Sequence, residues 1–464
     1  MNTISISDLR TVIDGRVILP GDAEYDEARM VFTGGVDRRP AFIVRPANAA
    51  DISHVINLAR ETGSELAVRS GGHSLPGYGV SEGGIVLDLR DMRGLEIDVK
   101  NRTAWVETGL TAGEYTVAAA GHGLATGFGD TGSVGIGGLT VGGGVGYLSR
   151  KYGLTIDNLL AAEVVTADGE IRRADAQTNP DLFWAIRGGG GNFGVASRFQ
   201  FKLHEVDQVL GGMLMLPVTA DIIRDFAAAA EAAPDELSTI ANIMIAPPMP
   251  FLPAEIHGKL ILMLLLVYSG GDIEEGQRVI APFRSLAEPI ADMIRPMRYL
   301  DMFTMMEGEG PMPLRPALET LFVDAIDRQG AEAIVNHLET STAQMNIVQL
   351  RVLGGEIARV PPDETAFAHR DRRIMIVVNS MYARPDEASI HTSRVHSLAD
   401  ELRRRPGAGG PGAYVNFMGD EGEARTREAY PGSTWDRLTA IKARYDPTNL
   451  FRMNVNIPPA ASAK

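Results

Sequence analysis

The sequence predicts an α+β chain of more than one unit, and three observations carry that prediction. Its 464 residues are roughly three typical domain lengths. Clusters of glycine, set among short β-rich and helical runs, are concentrated in the first 205 residues. Beyond about Val206, apolar strands alternate with alanine-rich helical segments, the pattern of a further α+β unit with a large antiparallel sheet.

Residues 40–69 read as strand, helix, strand. AFIVR (41–45) is β-rich, Asn48 is placed to cap a helix with Ile52, Val55, Ile56 and Ala59 on one face, and Gly63 ends it. SELAVRS then returns as a strand and delivers the chain to RSGGHSLPGYG, where His73 stands among Gly71, Gly72, Gly77 and Gly79. A loop at the C-terminal end of such a strand is where ligands gather in open α/β sheets. Taken alone, the stretch reads equally as a glycine-rich turn between two strands. Residues 85–89 form the next strand, 95–108 a hairpin around 100–102, and Thr111 with Glu114 a capping box opening a helix that stops at 121–123.

Residues 127–146, GFGDTGSVGIGGLTVGGGVG, carry one charge, Asp130, and place Val, Ile and Leu between glycines where a flexible linker would carry polar filler. That composition describes ordered backbone lying against a flat ligand. A strand at 159–166, a short helix at 179–187 and a third glycine cluster at 188–194 lead into a strand at 195–203. Gly189, Gly191 and Gly194 match G-x-G-x-x-G, but the motif follows a helix and precedes a strand, the reverse of a Rossmann loop.

After 206, strands are expected at 212–216, 260–267, 346–353 and 374–379, and helices at 220–233, 273–287, 331–340 and 385–404. Methionine becomes frequent (213, 215, 244, 249, 263, 293, 297, 302, 305, 306 and 312). Core filling is the expected role, an adaptable apolar pocket the alternative. A loop at 403–413 leads to YVNFMGDEGE, a helix, and a tail in which Asn454 and Asn456 are spaced two apart, so that in an extended segment both amides face one way.

Composition narrows the chemistry. Apolar content of 45% with 22% charged residues is that of a globular chain, and no run reaches the ~18 apolar residues of a membrane span. The start, MNTISISDLRTVIDGRVI, lacks the features of a secretory signal, so a cytoplasmic location is expected. With no cysteine there is no disulfide, thiolate metal site, iron–sulfur cluster or cysteine nucleophile. No metal site is expected: His391 and His396 are five apart and off one helical face, and His54, His204 and His337 read as ordinary surface or core residues. A net charge of −15 and a pI near 5.1 argue against nucleic acid, while backbone amides still allow a local anion site. The signatures G-x-x-x-x-G-K-[ST], H-E-x-x-H and G-x-S-x-G are absent.

What remains is three glycine-rich segments, a lone histidine in the first, and a polar-aromatic C-terminus. Amides that cradle a pyrophosphate, with glycines that admit a flat ring, describe a large dinucleotide such as FAD, and a neutral imidazole beside the ring is a potential covalent anchor. RSGGHSLPGYG, GSVGIGG-x-x-x-GGGVGYLSRKYG, DNLLAAEVVTADG, LFWAIRGGGGNFGV, LGGEIARVPPDETAFAHR and YDPTNLFRMNVNIPP together resemble, in order and from about 26 to 459, the FAD-linked oxidases of the vanillyl-alcohol-oxidase type, nearest the berberine-bridge-enzyme-like branch.

The resemblance implies an α+β fold with a two-subdomain FAD-binding domain, in this chain 1–205 completed by 411–464, and a substrate domain, 206–410, whose large antiparallel sheet is covered by helices. It implies that His73 carries the flavin through its 8α-methyl carbon, that Ser70, Gly71, Gly72 and Ser74 hold the pyrophosphate beside Arg69, Gly77 and Tyr78, and that Thr131, Gly132, Val134, Gly137, Gly138 and Gly144 lie along the isoalloxazine. Val195, Tyr414, Asn416, Asn454 and Asn456 complete the implied cofactor site, and the methionine-rich middle would cover the substrate face of the ring.

Two departures matter. Bicovalent members carry a cysteine where this chain has Thr131, so the implied FAD is monocovalent. Many members use the last tyrosine of Y-x-N-Y as catalytic base, and here the segment is Tyr414-Val415-Asn416-Phe417. The candidates left are Tyr414, Gln349 and Arg351, with Tyr78, Tyr147 and Tyr382 weaker; a neutral amine needs no base. Glutamine is no base and arginine hardly ever one. Val134 stands at the family's oxygen gate, where valine accompanies oxidase behaviour. The implied partners are a small aromatic, alkaloid or polyketide-like substrate and molecular oxygen, with neither nucleic acid nor membrane. Alternatives are a flavin-dependent dehydrogenase or oxygenating enzyme, or a flavoprotein that sequesters a drug-like compound.

Overall fold

Parallel pairing needs long crossovers, and the first one here is the helix foreseen from its caps. In a computed structural model describing residues 6–248, 252–305 and 312–461, Ala49–Thr62 is helical: Asn48 accepts from the Asp51 amide, and Gly63 closes the helix at φ +66°. The helix joins strand Phe42–Arg45 to Leu66–Arg69, and Ile85–Asp88 lies parallel between them in a four-stranded sheet whose far edge is Arg16–Ile18. Met249, Met306, residues 1–5 of the segment read for a signal, and 462–464 fall outside the described residues.

A second, five-stranded antiparallel sheet runs in the order Leu95–Asp98, Thr103–Glu107, Val195–Lys202, Leu159–Val165, Ile171–Asp175. The hairpin at 95–108 and the Thr111–Glu114 capping box form as the sequence predicts. Beyond them the second glycine segment contains an unforeseen helix, Ile136–Gly142. Its glycines give it little intrinsic helix preference, and it is held by tertiary packing: Ile136 is buried, and the Ile136 amide donates to the Leu110 carbonyl.

The third sheet is antiparallel and spans 208–382, with Leu260–Tyr268 and Leu237–Ile245 at its centre and Arg315–Val323 at one edge. Leu237–Ile245 and Arg315–Val323 are not predicted from the sequence, because Ser238, Asn242, Pro316 and Glu319 interrupt their apolar pattern. One face, with Leu214, Ala241, Leu264, Leu350 and Ile376, packs beneath helices Ala220–Ala232, Ile273–Arg284, Arg328–Glu339 and Ala388–Arg403. The other, with Met213, Met215, Ile240, Met244 and Met263, shares a core with Tyr147, Phe183 and Trp184. Met297 and Met302 are buried there too, so these methionines fill core.

The C-terminal segment folds back onto the first part of the chain. Lys442, on helix Ser433–Tyr445, donates to the carbonyls of Asn192 and Phe451 and pairs with Asp446 at 2.6 Å, with neither side chain exposed. The tail beyond it is bent, not extended, which corrects the expectation that Asn454 and Asn456 face one way.

Candidate functional site

The three glycine segments and the tail converge on one cavity of about 410 Å³, within the usual range for small-molecule and cofactor sites. Strand Leu66–Arg69 brings the first segment to it. The Arg69 guanidinium is wholly buried, bonded to Asp88 at 2.8 Å and to the carbonyls of Ala28 and Met30. Burial pushes its pKa down while the Asp88 carboxylate pulls it up. Arg69 therefore braces the loop with its charge already matched, and its stem forms part of the cavity wall.

The first two glycine segments touch through backbone. A Cβ at Gly71 would lie 2.3 Å from the Gly135 nitrogen, and one at Gly135 2.1 Å from the Gly71 nitrogen, so neither position admits a side chain without parting the segments. Ser70 ties them further, donating to the Thr108 carbonyl at 2.6 Å and accepting from the Gly137 amide at 3.3 Å. His73 lies in the same wall, stacked on Phe32 with centroids 4.0 Å apart. Burial lowers its pKa to about 4 against a bond to the Ser133 backbone, so the imidazole is neutral at physiological pH and keeps a nitrogen lone pair.

Tyr414 and Asn416 close the cavity from the other side. The Tyr414 hydroxyl accepts from the Gly144 amide at 2.8 Å and from Asn416 Nδ2 at 3.0 Å, and burial raises its pKa despite these bonds. Its geometry is that of a clamp on the second glycine segment. Tyr78 is likewise pushed up, to about 12, mainly by burial.

Arg69, Ser70, Gly71, Gly72, His73, Ser74, Tyr78, Thr131, Val134, Gly137, Gly138, Gly144, Val195, Tyr414, Asn416 and Asn454 all line the cavity. Seven singled-out positions stand off the lining. Gly77 packs on Val36, the Gly132 carbonyl accepts from Gly113, and Asn456 lies beyond the bend of the tail. Gln349 and Arg351 do share a strand face, but they stand behind the wall: Arg351 donates to Gln349 Oε1 at 2.7 Å, to the Val145 carbonyl and to Asp130 at 2.6 Å, and Gln349 donates to Asn242. A guanidinium with three acceptors is no base. Tyr382 stacks on His391 within the helix-covered core, and the Tyr147 hydroxyl donates to the Asp130 carbonyl.

Among the described residues, none of the predicted methionines lines the cavity, and the methionines that do are Met418 and Met453. What sequence reasoning passed over is Asp130, the one carboxylate in the lining among the described residues. The signal was its being the one charge in a glycine segment.

The residues present fit FAD. The cradle admits backbone approach, the cavity is lined by apolar side chains with few polar groups, and Asn454 Oδ1 is a buried acceptor with no partner among the described residues. Such an atom costs about 1–3 kcal/mol unless satisfied, and the N–H of a flavin ring is a suitable donor.

Comparison with known proteins agrees. Residues 40–175 match the family model described as FAD binding domain, and 413–458 match Berberine and berberine like. The chain is 31% identical to (R)-6-hydroxynicotine oxidase of Paenarthrobacter nicotinovorans, covering 97% of this chain and 98% of the relative, and 29% identical to Berberine bridge enzyme-like 28 of Arabidopsis thaliana, covering 98% and 91%. The crystal structure of 6-hydroxy-D-nicotine oxidase from Arthrobacter nicotinovorans superposes with a TM-score of 0.85 at 26% identity, over 96% of this chain and 98% of that one. Overlap of this extent shows the family: the chain belongs to the FAD-linked oxidases of the vanillyl-alcohol-oxidase type, in the berberine-bridge-enzyme-like branch, as a FAD-dependent oxidoreductase.

Proposed function

We propose that the protein is an oxidase whose FAD is attached through His73 alone, and that it oxidises a small, aromatic or alkaloid-like compound with release of hydrogen peroxide. The observation that carries this reading is a neutral, stacked imidazole set in the glycine cradle of the cavity. When bound, FAD supplies a hydride acceptor at N5 that oxygen can regenerate. The chain's own residues do the rest. Gly71 and Gly135 let the first two glycine segments close on one another to form the cradle, Tyr414 and Asn416 hold the second glycine segment in place, and Asn454 offers an acceptor from the tail. Thr131 lines the cavity where bicovalent relatives carry cysteine, so His73 is the only anchor. Val134, in the same wall, supports access of oxygen. The 31% identity to an oxidase named for 6-hydroxynicotine supports a small substrate of that kind.

The test is peroxide formed per substrate consumed under air, across a panel of amines, phenolic alcohols and sugars found by flavin bleaching without oxygen. The expected ratio is near one; a ratio far below one contradicts the oxidase reading. Attachment has its own pH signature. Because burial holds His73 neutral down to about pH 4, incorporation of FAD into apoprotein should proceed at pH 5.5 at nearly its pH 8 rate. An imidazole with an ordinary pKa of about 6.5 would slow roughly tenfold.

A further inference from the structure

Phe417 stands where a hydroxyl is usual in the family, and the structure shows what surrounds it. The Arg351 guanidinium lies over the Phe417 ring at 5.3 Å and pairs with Asp130 Oδ2 at 2.6 Å. Arg351 is 4% exposed and lies behind the wall, whereas Asp130 is 22% exposed and lines the cavity. Its second oxygen, Oδ1, has no hydrogen bond among the described residues.

We propose that Asp130 is the substrate-recognition residue of this oxidase, a fixed carboxylate that accepts a hydrogen bond from an N–H or O–H group of an amine or hydroxyl compound and excludes anions. The inference rests on the oxidase reading above and names the substrate class for it.

Three observations support it. First, Asp130 is held. Arg351 is itself fixed by Gln349 Oε1 and the Val145 carbonyl, so the carboxylate does not reorient when a ligand arrives. A preorganised charged acceptor binds donors roughly twice as strongly as a neutral one. Second, two hydroxyls of the wall are already engaged. The Tyr414 hydroxyl is bonded to Gly144 and Asn416, and the Tyr430 hydroxyl donates to the Gly188 carbonyl. Third, among the described residues the wall offers an anion no free cation. Its basic side chains are Arg69, matched by Asp88, and His73, which is neutral. In a low-dielectric cavity a substrate carboxylate or phosphate would meet Asp130 uncompensated.

Calorimetric titration of the holoenzyme with three probes of one shape, benzylammonium, benzyl alcohol and benzoate, tests this. The wild type should bind benzylammonium and benzyl alcohol at least about tenfold more tightly than benzoate, as expected for a hydrogen bond to a charged group. Asp130→Asn should lose that preference and Asp130→Glu keep it. Benzoate binding to the wild type as tightly as benzylammonium, no binding of benzylammonium, or an Asp130→Asn variant with the wild-type order would each overturn the proposal. The wild-type order decides even if a variant does not fold. Flavin absorbance of the same samples separates the two readings: flavin present with no charge preference defeats only the role of Asp130, whereas protein without flavin defeats the oxidase reading.

Discussion

His73→Ala should abolish covalent attachment of flavin, taking it from an expected one per chain to none. The expectation follows from elimination as much as from geometry. The chain has no cysteine, Thr131 occupies the position of a second link, and among the cavity's side chains His73 alone is an imidazole. Its ring is neutral and stacked on Phe32, so it presents a lone pair in a fixed direction. Alanine leaves the backbone contact of Gly71 with Gly135 intact, and FAD should still bind, but reversibly. Protein precipitated with acid should be colourless, and ultrafiltration should strip flavin from the native variant. The stabilisation that a permanently bound cofactor confers would become dependent on FAD concentration. Yellow colour surviving acid in the variant would place the link elsewhere.

Lys442→Met carries the largest expected loss of stability, about 3–5 kcal/mol. Burial pulls the Lys442 pKa down, and only the Asp446 carboxylate, the carbonyls of Asn192 and Phe451 and a fully enclosed site keep it in place. Asp446 also accepts from the amides of Leu450 and Phe451. Removing the ammonium leaves a buried carboxylate without its counterion. The damage should reach the cavity, because Asn192 holds the tail by donating to the Val455 carbonyl and accepting from the Ile457 amide, and both Asn192 and Val455 line the wall. Chemical unfolding of the holoprotein should show a lowered midpoint. Adding Asp446→Asn should recover part of the loss, since the uncompensated charge is then gone; no recovery would mean that the carbonyl bonds, not the ion pair, dominate.

How much of this was legible in the residues depends on whether the information was local. Asn48, Gly63 and the Thr111–Glu114 box lie within a turn of the elements they bound, and those elements formed as read. The three glycine clusters and His73 were visible because glycine marks close backbone approach whatever its partner is. The partner was not visible: that Gly71 meets Gly135 is a tertiary fact. Strands 237–245 and 315–323 were hidden by polar residues whose partners are remote, such as Asn242 with Gln349 and Glu319 with Arg403. Helix 136–142 contradicts its own glycine content and exists because of what packs on it. Asp130 was seen as a lone charge, but its role needed Arg351, 221 positions away in the chain.

The central claim is that one histidine alone anchors the flavin, and the mass of the denatured wild-type protein tests it most directly. The denatured chain should be heavier than its sequence by one FAD, with the flavin found after proteolysis on a peptide containing His73 and on no other. A denatured chain of unmodified mass, or flavin on a peptide containing Thr131, would contradict it.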